Sequence, residues 1–214
     1  MSYQTVIFDL DGTLLDTLDD LTSAVNYALS RFSLPKRDRE EVRSFVGNGQ
    51  RKLLERASEN KVLTDELLPL FREYYIQHSS DKTQPYEGIL KLLKDLKKQG
   101  IKTAVVSNKP HYATKPLVER YFGDLISLTQ GEDEEHGVMR KPDPASLLTV
   151  MEKLNADKKT TVYIGDSEVD IITSKNAGVD CISVSWGFKT AEFLKENGAT
   201  ALADTTADLT ELLK

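Results

Sequence analysis

The chain has 214 residues, 39% of them hydrophobic and 29% charged, with 12 glycines and 7 prolines, which is the make-up of a globular protein and excludes a disordered or fibrous one. Its length exceeds a minimal domain and falls short of two full-sized ones, so one core carrying a sizeable insertion is expected. A net charge of −6 argues against a nucleic-acid partner, which needs a basic face, yet leaves a small anionic substrate open.

The opening segment MSYQTVIFDL has no basic stretch leading into a greasy one, and no window has the apolar length of a bilayer-spanning helix. A single cysteine, Cys181, has no partner for an internal disulfide, in keeping with a reducing compartment. A cytoplasmic, non-exported monomer or homodimer with no membrane partner is the expectation.

In chain order, Tyr3 to Phe8 reads as a strand, an apolar run that ends abruptly at Asp9 and Asp11. From about Leu18 to Ser80 amphipathic helices follow one another. Leu18, Leu21, Val25, Ala28, Leu29 and Phe32 share one face, with Thr17 and Asp20 placed to cap its start. Asp38 and Glu41 have the capping spacing for the next helix, Gly47-Asn48-Gly49 breaks it, and Leu53, Leu54 and Ala57 mark a third. Leu67, Leu68, Phe71 and Tyr75 mark a fourth, whose start Pro69 places later than Thr64. Asp81 to Gly88 reads as a linker.

Strands are then predicted at Ile101 to Val106, Leu125 to Leu128, Thr161 to Ile164 and Val179 to Val184. Helices are predicted at Ile89 to Gln99, Ala145 to Leu154 and Val169 to Ala177, the first and last followed by Gly100 and Gly178. The alternation implies an α/β, doubly wound, three-layer Rossmann-like core with a parallel sheet, residues 1–16 and 82–214, and an inserted all-helical domain, residues 17–81.

Three strand ends carry polar clusters. In Asp9-Leu10-Asp11-Gly12-Thr13, residues two apart at a strand end project to one side, so two carboxylates crowd together and invite a divalent cation or a shared proton. Ser107-Asn108-Lys109 offers hydroxyl, amide and ammonium donors suited to an anion, or simply a helix cap. Gly165-Asp166-Ser167-Glu168-Val169-Asp170 sets two carboxylates one helical turn apart, hard ligands of the kind Mg²⁺ takes, although acids also favour a helix start. Between the last two clusters, Lys141 sits beside Pro142 and Pro144, which stiffen its segment.

Taken in order, DLDGTLLDT at Asp9 to Thr17, Ser107, Lys141 and GDSEVD at Gly165 to Asp170 resemble the four motifs of the haloacid dehalogenase superfamily of aspartate-nucleophile phosphatases. A helical insertion directly after the first motif resembles the C1 cap, and VGNGQRKLLERA, SNKP and KPDP are similar to phosphoglycolate phosphatase-like members.

The resemblance implies a Mg²⁺-dependent phosphatase acting on a small phosphorylated metabolite through an aspartyl-phosphate on Asp9. It assigns Mg²⁺ to the carboxylates of Asp9 and Asp166 and the backbone carbonyl of Asp11, with Asp170 orienting that set. Asp11 is the implied acid and base; Ser107, Asn108 and amides near Leu10 grip the phosphoryl group, and Lys141 neutralises it. Four site aspartates outweigh Mg²⁺ and Lys141 by one formal charge. The cap is expected to close over the site, with Gly47, Asn48, Gly49 and Arg51 reading the rest of the substrate and Arg51 forming a forked pair with a carboxylate. A β-phosphoglucomutase-type mutase and a phospho-aspartate receiver domain are the alternatives. His78, His111, His136, Cys181, Trp186 and Phe188 are read as structural.

Overall fold

The computed structural model describes residues 3–214. The chain divides into two compact units, Met1–Leu15 with Pro85–Lys214, and Asp16–Gln84.

The chain opens with β1 (Thr5–Phe8), followed by β2 (Leu15–Asp16), α1 (Leu18–Ser30), α2 (Arg39–Phe45), α3 (Gly49–Ser58), α4 (Thr64–His78) and β3 (Gln84–Pro85). It continues through α5 (Ile89–Lys98), β4 (Lys102–Pro110), α6 (His111–Tyr121), β5 (Leu128–Glu132), α7 (Ala145–Lys153) and β6 (Thr161–Gly165). It ends with α8 (Glu168–Ala177), β7 (Asp180–Val184), α9 (Ala191–Glu196), β8 (Leu202–Ala203) and α10 (Thr206–Leu212).

In the first unit, six parallel strands run in the order β5-β4-β1-β6-β7-β8. Side chains alternate across this sheet. Val6, Phe8, Val105, Ile164 and Val184 pack with Ile89, Leu93, Leu117 and Leu209 on one face; Ile7, Ala104, Val106 and Tyr163 pack with Leu147, Val150 and Met151 on the other. Both faces are therefore covered by helices, which is why the strands are nearly continuous apolar runs. From β1 the chain winds to β4 and β5 on one side and later to β6, β7 and β8 on the other, so strand order reverses beside β1. Crevices at such a reversal, beyond the carboxyl ends of the strands, are where open α/β sheets bind ligands.

Two sequence expectations shift here. The apolar run Leu125 to Leu128 is not a strand: Gly123–Leu125 forms a 3₁₀ turn, Ile126 is buried in the core, and β5 begins at Leu128. An edge strand reading Leu-Thr-Gln-Gly-Glu has little apolar signal of its own. Residues 111–121, 191–196, 202–203 and 206–212 carry elements that the hydrophobic pattern did not reveal, α6 having Pro116 within it.

The helical unit packs α1 against α4, with Leu21, Val25, Ala28, Phe71 and Tyr75 buried and Tyr27 stacked on Tyr74 at 4.5 Å between ring centroids. Asp38 and Glu41 form the expected reciprocal cap: each side chain accepts from the other's backbone N–H at 2.8 Å. Pro69 does not delay α4, which starts at Thr64; the Glu66 and Leu67 amides already donate to the Leu63 carbonyl, and burial of Leu67, Leu68, Phe71 and Tyr75 outweighs the lost backbone bond.

Asp20 is not the partner of Thr17, whose side chain makes no cap hydrogen bond to α1. Fully buried, the Asp20 carboxylate accepts from the Lys82 amide at 3.1 Å, the Thr83 amide at 2.9 Å and the Thr83 hydroxyl at 2.8 Å, tying the end of the helical segment back to α1. Truncation to Asp20→Ala strands three donors in a dry setting and is expected to lower unfolding stability by about 3 kcal/mol. Urea denaturation of wild type and variant checks this; a loss within experimental error would remove Asp20 from the latch.

Candidate active site

Asp9 follows β1, and Asp166 follows β6, the strand paired with β1; Asp170 lies in the first turn of α8. One carboxylate oxygen from each of the three lies within 4.8 Å of the others. The Lys141 ammonium joins them, 3.0 Å from Asp9 Oδ2, 2.6 Å from Asp170 Oδ1 and 2.9 Å from the Tyr163 hydroxyl, which in turn donates to the Val106 carbonyl at 2.8 Å. Its three N–H donors are thus all committed.

The electrostatics follow from burial. Burial pushes the Asp9 carboxyl up to about 6, against the lowering pull of Lys141, and Asp170 and Asp11 add repulsion. Burial, then the charges of Asp170 and Asp9, raise Asp166 well above the ordinary carboxylate range. Burial alone would lower Lys141, but Asp170 and Asp9 hold its ammonium above the usual lysine value. Two hard oxygen donors, Asp9 and Asp166, that burial disfavours as free anions suit a divalent cation such as Mg²⁺.

Asp170 spends one oxygen on Lys141 and the other on the Ser167 amide and hydroxyl, at 3.1 and 2.6 Å. Both oxygens therefore brace neighbouring groups. Asp11 stands apart from the three clustered carboxylates: both its oxygens face the Lys109 ammonium, at 3.0 and 3.1 Å.

Ser107 is buried at the tip of β4, where its hydroxyl accepts from the Lys109 amide at 3.3 Å. The Asn108 side chain binds the Lys141 backbone: its Oδ1 accepts from the Lys141 amide at 2.7 Å and its Nδ2 donates to the Lys141 carbonyl at 3.1 Å. This two-point clamp fixes the Lys141 segment against β4. The Leu10 amide, also expected on the phosphoryl group, donates to Asp9 Oδ1 at 2.7 Å.

In the helical unit, Gly47 and Gly49 take left-handed backbone (φ 122° and 83°) that L side chains rarely adopt. Asn48 accepts from Arg56 at 2.8 Å, and the half-exposed Arg51 pairs with Asp65 at 2.7 Å. These are local contacts of that unit.

Sequence reasoning missed Tyr163, Lys109 in its contact with Asp11, and the segment after β7. There the Phe188 amide donates to Asp166 Oδ2 at 2.7 Å, and Trp186 Nε1 donates to the Thr13 carbonyl at 3.1 Å. A Cβ on Gly187 would lie 2.2 Å from the Gly12 carbonyl oxygen, and one on Gly12 would lie 2.3 Å from Asp166 Oδ2, so the two glycines let the β1 and β7 loops close on Asp166. The usable signals were a hydroxyl inside the aliphatic strand Thr-Val-Tyr-Ile-Gly and a Trp-Gly step just past a strand tip. Of the three histidines, His78 pairs with Asp81 and His136 with Asp133, and His111 accepts from the Gly131 amide. Among the described residues, no helix is long and apolar enough to cross a membrane.

Residues 6–184 match the family model of haloacid dehalogenase-like hydrolases. Phosphoglycolate phosphatase 1 of Pseudomonas aeruginosa is 36% identical over 95% of this chain and 77% of its own, and phosphoglycolate phosphatase of Psychrobacter arcticus is 36% identical over 100% and 97%. A crystal structure from Lactobacillus delbrueckii subsp. bulgaricus, provisionally named a phosphoglycolate phosphatase, superposes with a TM-score of 0.91 at 37% identity, covering 100% of this chain and 99% of that one. CbbY of Rhodobacter sphaeroides, solved in complex with phosphate, shares the fold with a TM-score of 0.80 at 22% identity over 97% and 96% of the two chains. With its acidic cluster at the tips of adjacent parallel strands and a match covering most of its length, the chain belongs to the haloacid dehalogenase-like hydrolases.

Proposed function

We propose that the protein hydrolyses a small phosphate monoester through an aspartyl-phosphate on Asp9, with phosphoglycolate as its substrate. The observation that carries this reading is the gathering of Asp9, Asp166 and Asp170, with one carboxylate oxygen of each within 4.8 Å of the others, around a Lys141 ammonium that pairs with Asp9 and Asp170. The names of the relatives support the choice of ester.

An anionic carboxylate approaching a phosphate dianion is repelled, so the residues around Asp9 must first supply positive charge and orientation. Lys141, fixed by Asp170 and Tyr163, holds Asp9 Oδ2 and sets a positive charge beside the nucleophile. Ser107 supplies a hydroxyl at the adjacent strand tip. Mg²⁺, held by the carboxylates of Asp9 and Asp166, would neutralise the remaining negative charge as a Lewis acid.

Asp9 then forms a bond to phosphorus while the ester P–O bond breaks; its electron pair stays on the leaving oxygen, which takes a proton from Asp11. Asp11, now a carboxylate, takes a proton from water as the water oxygen attacks phosphorus and the Asp9–phosphorus linkage opens. The products are an alcohol and inorganic phosphate, and Asp11 is protonated again.

A screen of small phosphate monoesters, including phosphoglycolate, nucleotides, sugar phosphates and pyrophosphate, with and without Mg²⁺, tests the reading. Asp9→Asn keeps the shape of the site and removes the nucleophile, so turnover is expected to fall on the order of 10³-fold or more. Substantial activity in that variant would refute covalent catalysis by Asp9.

Cation binding has a readout independent of turnover. Mg²⁺ at about 100 times its dissociation constant adds about 2.7 kcal/mol to the stability of a protein that binds it only when folded. Wild type is expected to show a clear rise in Tm on adding Mg²⁺ and Asp166→Asn little or none; an equal rise in both would place the cation elsewhere.

A further inference from the structure

The β4–β5 pairing has a register break of unequal length. Ser107 pairs with Gly131 and Pro110 with Glu132, so three steps along β4 match one along β5, and Asn108 and Lys109 form the bulge between them. In a regular strand these neighbours would point to opposite faces. The bulge frees them to serve the same edge: Asn108 clamps the Lys141 backbone, and Lys109 reaches both oxygens of Asp11. Gly131 makes room for it, since a Cβ there would lie 2.6 Å from the Lys109 carbonyl oxygen and the His111 Cα. The Lys109 side chain is 3% exposed and that of Asp11 14%. This ammonium is therefore part of the built site.

We propose that Lys109 is a positioning residue that holds the Asp11 carboxyl where it meets the leaving-group oxygen, and that it acts on the reaction through Asp11 rather than as a phosphate-binding cation. The inference rests on the phosphatase reading above. In the first step the ester P–O bond breaks and its electron pair goes to the leaving oxygen, which needs the Asp11 proton in proportion to its basicity. An alkoxide needs that proton badly, and p-nitrophenolate leaves without it. Displacing Asp11 therefore penalises poor leaving groups selectively, whereas losing a phosphate-binding cation penalises every ester alike.

The test measures kcat/KM, which reports the steps through phosphoryl transfer to Asp9, for ethyl, phenyl and p-nitrophenyl phosphate in wild type, Lys109→Met, Asp11→Ala and the double variant. The Lys109→Met loss is expected to be about 10²-fold for ethyl phosphate, smaller for phenyl phosphate and under about threefold for p-nitrophenyl phosphate, the size of effect a general acid supplies. In the Asp11→Ala background, Lys109→Met is expected to add less than about twofold, because partners acting as a unit are non-additive. Lys109→Gln, whose amide still donates, is expected to fall between Lys109→Met and wild type and serves as the readout if the methionine variant does not fold. Equal losses on all three esters with a raised KM, or additive losses in the double variant, overturn the positioning role. Failure of wild type to hydrolyse any ester would instead sink the phosphatase reading and the inference with it.

Discussion

Charge balance in a dry corner is the constraint on which the site depends. Asp9, Asp11, Asp166 and Asp170 bring four formal negative charges to one edge of the sheet, and Lys109 and Lys141 return two. With all four ionised, two charges are left over, which one divalent cation cancels; the protonated Asp11 with which the proposed reaction begins removes one of them. Counted from sequence with Lys141 alone, the same site keeps a residual negative charge even with Mg²⁺ present; the second buried ammonium closes that gap. Buried unpaired charge is costly enough that each carboxylate here must have a cation or a set of donors. The contacts of Asp170 with Lys141 and Ser167, and of Asp166 with the Thr13 hydroxyl and the Phe188 amide, meet that demand locally.

The fold supplies this corner by topology. β1 and β6 are paired, so the residues just past their ends, Asp9 and Asp166, are neighbours without any long side chain reaching across. Lys141 and Asn108 come from either side of β5, and their backbone clamp joins the loop before α7 to the tip of β4. A lysine ammonium on four flexible methylenes would ordinarily spread over many rotamers. Here the Asn108 clamp fixes its backbone, while Asp9, Asp170 and Tyr163 fix its end. Preorganisation of this kind is what lets a site stabilise developing charge without reorganising during the reaction.

What could be read from the sequence follows from how local each feature is. Asp9 and Asp166 were legible because each directly follows a buried apolar strand, with Asp11 and Asp170 a few residues further on, and strand ends can be found from hydrophobic pattern alone. The core strands other than β5 and β8 were legible for the same reason. β5 was misplaced because apolar pattern reports burial, not backbone conformation: Ile126 is buried beside a 3₁₀ turn, while the strand itself is a polar edge. Pro69 misled in the opposite direction, since the local preference of proline for the first turn of a helix lost to four buried side chains downstream and upstream of it.

The partners of Asn108 and Lys109 were illegible for a deeper reason. Three adjacent donors at a strand tip look equivalent in sequence, and strand alternation would send them to different faces. Which of them meets phosphate, which meets Lys141 and which meets Asp11 is decided by a bulge whose existence depends on pairing with Gly131, more than twenty residues away. The bulge also makes the two functional lysines interdependent. It turns Asn108 toward the Lys141 backbone in the same distortion that turns Lys109 toward Asp11, so the cation beside the nucleophile and the cation beside the acid share one backbone irregularity. A change that regularised β4 would uncouple both at once, which makes the β4–β5 register, rather than any single charged side chain, the feature that assembles the site.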